Sequence, residues 1–215
     1  MTRAQMVQQV ARWLGLQDQT TYDETQMIND QLYYGTIDLL SRTKCTVRCV
    51  DLRVRANENE YKLDHSLLAL VDIENGARPK ARRNETLEPS FTLVRSDVLL
   101  IQPTPDADGL IQVWGVLRPQ QMTDDGQSPA LEDCGAVPDE YHDAIVTYAL
   151  WKLADYADDA SASNGEYYRI LYEGQDTRSG RLAQIKALVN KRGTAKAPGR
   201  NVRLRSVSGS GAYVG

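Results

Sequence analysis

The chain has 215 residues, of which 41% are hydrophobic and 25% are charged, as expected of a soluble globular protein. Its net charge of −4 argues against bulk attraction to nucleic acid or to an anionic membrane. Three cysteines and two histidines are too few for a disulfide framework or a structural zinc site. The N-terminus lacks the apolar core of a signal peptide, and no apolar run reaches the roughly 18 residues of a membrane helix. We therefore expect a soluble protein made in a reducing cytoplasm, without membrane contact.

Two amphipathic helices are predicted at the N-terminal end of the chain. The first covers residues 2–14, where Thr2 and Gln5 fit a capping box. The second covers about residues 21–40, and apolar residues recur at helical spacing in both. Gly35 lies inside the second helix, where a glycine costs about 1 kcal/mol relative to alanine. We therefore expect a neighbouring element to approach Gly35 closely.

The apolar pattern changes from helical to alternating at Lys44. Leu52 and Val54 alternate with arginines, which indicates a half-buried strand. Cys45 and Cys49 are predicted to share one strand face as buried, small apolar side chains. Further strands are predicted at residues 61–63, 69–73, 91–94, 98–102 and 110–117.

The strongest helix pattern in the chain begins at Pro138 and is predicted to run to about Asp159. Proline suits the first turn of a helix, and the acids Asp139, Glu140 and Asp143 complement the positive end of the helix dipole. A fourth helix is predicted from about residue 166 to 190, with a kink or break in its polar segment 174–180. The predicted core of the resulting bundle consists of Tyr141, Ile145, Tyr148, Ala149, Leu153, Tyr168, Leu171, Leu182 and Ile185.

These elements predict an α+β fold with three parts. Residues 1–43 and 138–191 form a helical bundle of about four helices. Residues 44–137 form an inserted antiparallel β module, with a long polar loop at residues 120–136. Loops of that length are commonly functional or mobile. Residues 192–215 form an extended C-terminal arm.

The charge of the C-terminal region is strongly one-sided. Residues 177–205 contain nine basic residues and no acid. The segment after residue 192 has too few large apolar residues to fold alone. One interpretation is a solubilising tail, and the other is an arm that orders on a partner. The alternation of polar and apolar residues in Asn201–Val207 is typical of a strand added to another sheet.

Candidate catalytic and metal-binding groups have weak support. His142 stands beside several acids, but acids are expected in a first helical turn, and no serine or cysteine is spaced as a nucleophile. A polar first turn is therefore the favoured interpretation of His142. The segment Asp106–Gly109 matches half of a calcium loop and lacks its closing glutamate, so a hairpin turn is favoured. We expect no catalytic residue, no cofactor and no metal.

Two stretches resemble a known family. Pro138-Asp139-Glu140-Tyr141-His142-Asp143 is followed by Ile145-Val146, by Tyr148-Ala149-Leu150, by Tyr167-Tyr168 and by Tyr172-Glu173. This pattern resembles the C-terminal helical pair of head-to-tail connector (adaptor) proteins of tailed bacteriophages. The second helix, with Tyr22, Ile28, Asn29 and Leu32, is similar to the corresponding helix of that family. The size of the β insertion looks like that of the larger adaptors of short-tailed phages.

The resemblance implies a structural virion protein of the head–tail junction, assembled in the host bacterial cytoplasm. It would form a ring, usually of twelve copies, beneath the portal protein after DNA packaging. The ring would extend the DNA channel without sequence-specific DNA binding, and its β module would face a tail nozzle or another tail or head-completion protein. The C-terminal arm would dock on the portal through Lys191, Arg192, Lys196, Arg200, Arg203 and Arg205.

Two other functions remain open at this point. A non-enzymatic nucleic-acid-binding module could use the basic segment Arg178–Arg205, and its affinity would fall steeply with salt. A small cytoplasmic enzyme would need a polar pocket that the sequence does not reveal.

Overall fold

The computed structural model describes residues 1–16, 21–63, 66–75, 90–154, 162–175 and 179–192. Within these ranges the chain forms five α-helices and two small antiparallel sheets, so it is an α+β protein, as predicted. The α-helices are α1 Arg3–Trp13, α2 Tyr22–Thr43, α3 His142–Leu153, α4 Ala162–Glu173 and α5 Arg181–Arg192.

The first two helices begin with matching capping boxes. Thr2 and Gln5 cap α1 reciprocally, as predicted, and Thr21 and Glu24 do the same for α2. A chain reversal follows each helix, because Gly15 after α1 has φ +71° and Lys44 ends α2 with φ +53°. Local sequence signals therefore fix both ends of each helix.

Gly35 is the point at which α2 and α3 approach most closely. A Cβ atom at this position would lie 3.0 Å from Tyr148 Cδ1 and 3.2 Å from the Ile145 carbonyl oxygen. Those distances are too short for a methyl group, so the predicted close approach at Gly35 is confirmed.

The helix predicted from Pro138 begins in two steps. Pro138 precedes a single 3-10 turn at Asp139–Tyr141, and α3 follows directly from His142. The helix ends at Leu153, and residues 155–160 of the predicted helix lie outside the described ranges. All but three residues of α3 beyond its first turn are buried, because the helix lies against α1, α2 and α4.

The predicted fourth helix consists of two helices, α4 and α5. Gly174 ends α4 with φ +97°, and a Cβ atom at Gly180 would collide with the backbone of Glu173 and Gly174. Two glycines thus allow the chain to fold back on itself between the helices. For this reason the described ranges hold five helices where about four were predicted.

The predicted core residues of the bundle differ in how deeply they are buried. Tyr148 and Tyr168 are half-buried against the helical core. Leu171 departs from its predicted position, since its side chain is 36% exposed and the neighbouring Tyr172 is fully buried in its place. The other six predicted core residues are buried: Tyr141, Ile145, Ala149, Leu153, Leu182 and Ile185.

The six strands form two three-stranded antiparallel sheets. One sheet has the order β1-β6-β3 and the other has the order β2-β5-β4. Apolar side chains that alternate along the strands form a second core between the sheets, with Leu99 and Val113 completely buried. The strands are β1 Arg48–Val54, β2 Glu60–Lys62, β3 Leu67–Asn75, β4 Ser90–Arg95, β5 Val98–Gln102 and β6 Gly109–Leu117.

The prediction that Cys45 and Cys49 share one buried strand face is wrong. β1 begins only at Arg48, so Cys45 lies in the connection after α2, where it packs against the helical core. Burial raises the pKa of the Cys45 thiol. Cys49 lies within β1 and is exposed. The strand therefore begins three residues later than Cys45, at Arg48.

The polar segment before α3 packs on the helices. Met122, Cys134 and Val137 are buried in the same core as the helical residues. The Arg3 backbone N–H donates to the Gln127 carbonyl oxygen at 2.6 Å. We call the five helices and residues 118–141 the helical body, and β1–β6 the β module.

Candidate functional site

The residues predicted to dock on the portal lie at the end of α5 and beyond it. Lys191 is exposed near the end of this helix, and Arg192 is its last residue. Earlier in α5, Arg181 forms an ion pair of 3.7 Å with Asp143 of α3. The four remaining predicted residues lie outside the described ranges: Lys196, Arg200, Arg203 and Arg205. Of this predicted set, the structure therefore describes only the two residues at the end of α5.

A partly exposed polar network joins α2 to α4. The hydroxyl of Tyr172 donates to Asp38 Oδ2 at 2.7 Å, although its ring is fully buried. Arg42 donates to Glu173 Oε1 at 2.9 Å and also contacts Asp38. Burial raises the pKa of Tyr172, and the nearby Asp38 carboxylate raises it further, so the phenol stays a donor. The network fixes α4 relative to α2.

Aromatic rings extend this network to α3. The Tyr148 ring packs edge-on against Tyr172, with ring centres 5.4 Å apart, and edge-on against Trp151. The ammonium of Lys152 lies 3.5 Å from the centre of the Trp151 ring. Of these aromatics only Tyr148 was a predicted core residue, and the sequence did not show that the rings connect three helices.

His142 is completely buried, contrary to its interpretation as part of a polar first turn. Its Nε2 lies 3.1 Å from the Val137 carbonyl oxygen, and its Nδ1 lies 2.8 Å from the Met1 amino group. The carbonyl can only accept, so Nε2–H donates to it and Nδ1 accepts from the amine. Burial lowers the pKa of His142, which keeps the ring neutral. Both ring nitrogens are therefore engaged in structural contacts.

An open groove of about 710 Å³ lies in the β module. Leu52, Val54 and Tyr61 are buried at this groove, and Leu110 is 44% exposed. Its rim carries acids and bases in equal number. The groove is lined by Leu52, Arg53, Val54, Arg55, Glu58, Glu60, Tyr61, Lys62, Asp108, Gly109 and Leu110.

Hydrogen bonds hold the closed end of this groove. The Tyr61 hydroxyl donates towards the carbonyl oxygens of Glu58 and Arg55, at 2.7 and 2.9 Å. The Ala56 backbone N–H donates to Asp108 Oδ1 at 2.8 Å. The predicted hairpin turn at Asp106–Gly109 is wrong, because this segment joins β5 and β6, which lie in different sheets. The described ranges contain no group of three or more residues that could hold a metal ion.

Comparison with known proteins identifies the family of the chain. The model of the SU10 adaptor protein family matches residues 1–200. The chain belongs to the SU10 adaptor protein family. No curated protein matches it. This membership supports a phage head–tail adaptor, which is a structural component of the virion.

The adaptor exposes apolar side chains at positions suited to protein contacts. Tyr167 and Leu171 lie one turn apart on α4, and their side chains are 60% and 36% exposed. Trp13 and Tyr22 are also largely exposed at the end of α1 and the start of α2. Aromatic residues of this kind are enriched at protein interfaces. No helix within the described ranges is long and apolar enough to cross a membrane.

Proposed function

We propose that this adaptor assembles as a ring, of twelve copies, beneath the portal of a short-tailed phage. The ring extends the DNA channel and provides the platform on which the tail nozzle, or another tail or head-completion protein, docks. The family match over residues 1–200 carries this proposal, because it covers both the helical body and the β module.

The helical body is the part suited to form the ring. Its helices are joined by the Tyr172–Asp38 bond, by the Arg42–Glu173 ion pair and by close packing at Gly35. A rigid body with exposed aromatics at Tyr167 and Tyr22 can contact two neighbours through different surfaces, as a closed ring requires.

The arm of residues 192–215 is the part suited to reach the portal. It begins at the end of α5, which is bound to α3 by the Arg181–Asp143 ion pair. Its positive charge favours an acidic partner surface and speeds the encounter. The β module is left to face the next tail component.

Electron microscopy of the adaptor mixed with its portal tests this function. We expect a ring of adaptor density on one face of the portal. Replacing Lys196, Arg200, Arg203 and Arg205 by glutamate should lower the affinity for the portal at least about tenfold, which is 1.4 kcal/mol. The matched control replaces the exposed residues Arg12, Lys44, Arg95 and Arg118 by glutamate, which changes the net charge equally but leaves the arm and the groove intact. No ring with the wild-type protein would refute the function.

A DNA-binding assay separates the adaptor from the alternative function. A nucleic-acid-binding module that uses Arg178–Arg205 should shift duplex DNA at low salt and release it as salt rises. We expect no shift by the free adaptor, since its net charge is −4. A salt-dependent shift that the arm substitutions abolish would favour the alternative.

A further inference from the structure

We propose that the groove of the β module receives the segment Asn201–Val207 of a neighbouring copy as an added β-strand. This inference rests on the proposed ring, because a neighbouring copy must be present. It concerns a surface that lies apart from the polar and aromatic contacts of the helical body.

Two strand edges are available at this groove. In the part of the chain that the structure describes, β1 pairs only with β6, and β2 pairs only with β5. Each edge strand presents one row of backbone N–H and C=O groups away from its own sheet. The groove runs beside the last residues of β1 and the whole of β2. An added strand there would bond to one or both edges.

The groove is preformed, so little ordering of the receptor is needed. Tyr61 is buried beneath it and bonds to Arg55 and Glu58 in the connection between the two strands. The connection is also tied to the neighbouring turn, because the Asn57 backbone N–H donates to the Pro105 carbonyl oxygen at 2.8 Å. Preorganisation of this kind lowers the cost of binding an extended segment.

The groove offers an exposed apolar side chain and a balanced set of charges. Its lining holds as many acids as bases, so electrostatic selection is weak. Leu110 is 44% exposed there, although it lies at the start of a central strand. In Asn201–Val207, Val202 and Leu204 fall on one face of an extended chain, with Arg203 and Arg205 on the other. The apolar pair can cover Leu110, and Lys196 and Arg200, which precede the segment, remain available to the portal.

The length of the arm allows it to reach the next subunit. The described chain ends at Arg192, and eight residues separate Arg192 from Asn201. Extended, they span about 30 Å, which is roughly the diameter of a small domain. The segment of seven residues is long enough to pair with β1, which also has seven.

Site-specific photo-crosslinking in the assembled ring tests the proposal. The full chain would carry a photoreactive phenylalanine in place of Ser206, and rings would be assembled on the portal from equal amounts of ¹⁵N-labelled and unlabelled chains. We expect crosslinked peptides that join position 206 to residues 52–62 or 108–110 and that include mixed-label pairs. The matched control places the same group at Ala212, where we expect few such peptides.

A second pair of variants checks that the groove itself receives the strand. Leu110→Glu adds a charge to the groove and should reduce the crosslink yield about tenfold. Val94→Glu adds the same charge on β4, where the side chain is 54% exposed, and should leave the yield unchanged.

The outcomes separate this proposal from the proposed function. A ring whose crosslinks go only to the portal, to the helices or to the same chain overturns the strand addition and leaves the function standing. The same holds if Leu110→Glu and Val94→Glu lower the yield equally. A failure to form any ring on the portal counts against the function.

Discussion

The helical body and the β module differ in how completely their polar groups are hydrogen-bonded within the chain. In the helical body, capping boxes complete the starts of α1 and α2, and buried polar groups such as His142 and Tyr172 have partners. In the β module, every described sheet has two edge strands and the groove lies open between β1 and β2. The helical body is therefore the part held together by internal bonds, and the β module is the part whose strand edges are open to a partner.

The two regions are nevertheless joined by shared packing. Val116 of β6 is buried in the helical core, and Leu68, Ala69 and Val71 of β3 pack against it. Arg48 at the start of β1 forms an ion pair of 3.0 Å with Glu132 of the helical body. We therefore expect the two regions to unfold together.

The largest expected effect comes from truncating one large buried side chain in each of the two cores. Ile145→Ala and Leu99→Ala remove side chains that are 0% exposed, so each should lower the free energy of unfolding by about 2–5 kcal/mol. Urea unfolding followed by circular dichroism, together with amide exchange of β5 and α3, measures this loss in both regions. We expect one shared transition in each variant. Separate transitions, each sensitive to only one variant, would show that the regions are independent.

Gly35→Ala sharpens the comparison by forcing α2 and α3 apart. The added methyl group would lie 3.0 Å from Tyr148 and 3.2 Å from the Ile145 carbonyl, so we expect a loss of about 1–3 kcal/mol, despite the better helix propensity of alanine. Gly126→Ala is the control, because nothing lies within 4 Å of a Cβ atom there. Equal thermal midpoints of the two variants would contradict the close packing.

The pH dependence of stability tests the buried imidazole. Because burial lowers the pKa of His142 in the folded state, the unfolded chain binds a proton first as the pH falls. Stability is therefore retained above about pH 6.5 and is lost below it, by up to about 1.4 kcal/mol per pH unit. Asp139, Asp143 and the Met1 amine are the charged groups near the ring.

Denaturation between pH 5 and 7 measures this slope, and His142→Gln should flatten it. His65→Gln is the control for removing a histidine and should keep the slope. An unchanged slope in His142→Gln would show that another group causes it.

The smallest expected effect comes from the Tyr172 hydroxyl. Tyr172→Phe keeps the ring and removes only the bond to Asp38, which retains Arg42 as a partner, so we expect a loss of about 1 kcal/mol. Tyr22→Phe removes a hydroxyl from a residue that is 82% exposed and should change the thermal midpoint little. A larger fall in the thermal midpoint for Tyr22→Phe than for Tyr172→Phe would contradict the stabilising role given to the Tyr172–Asp38 hydrogen bond.

Features that depend on neighbouring residues were predictable from the sequence. The capping box at Thr2, the packing requirement of Gly35 and most strands follow from spacing alone, because caps and periodicity act over a few residues. Gly174 and Gly180 indicated a break in the predicted helix. The sequence did not show that Gly180 lies so close to the backbone of Glu173 and Gly174 that a Cβ atom would collide with it.

Features that depend on distant residues were not predictable. The Met1 amino group, 141 residues away in the chain, contacts the buried His142 ring, and no local pattern indicates that contact. Likewise, alternation predicts strands but not which of them are edges, so the groove between β1 and β2 had no sequence signal. Of the predicted docking residues, the structure describes only the two at the end of α5.

The fold-back between α4 and α5 has a consequence for the order of assembly. It sets the arm's point of attachment, because α4 is fixed to α2 and α5 to α3. A tether with a fixed origin raises the local concentration of its free end near any site within reach, typically to the millimolar range for short linkers. In the proposed ring, once the first copies have docked, each later arm would therefore meet its site at high effective concentration. Partial rings should then be short-lived, and completed rings should predominate even at low protein concentration.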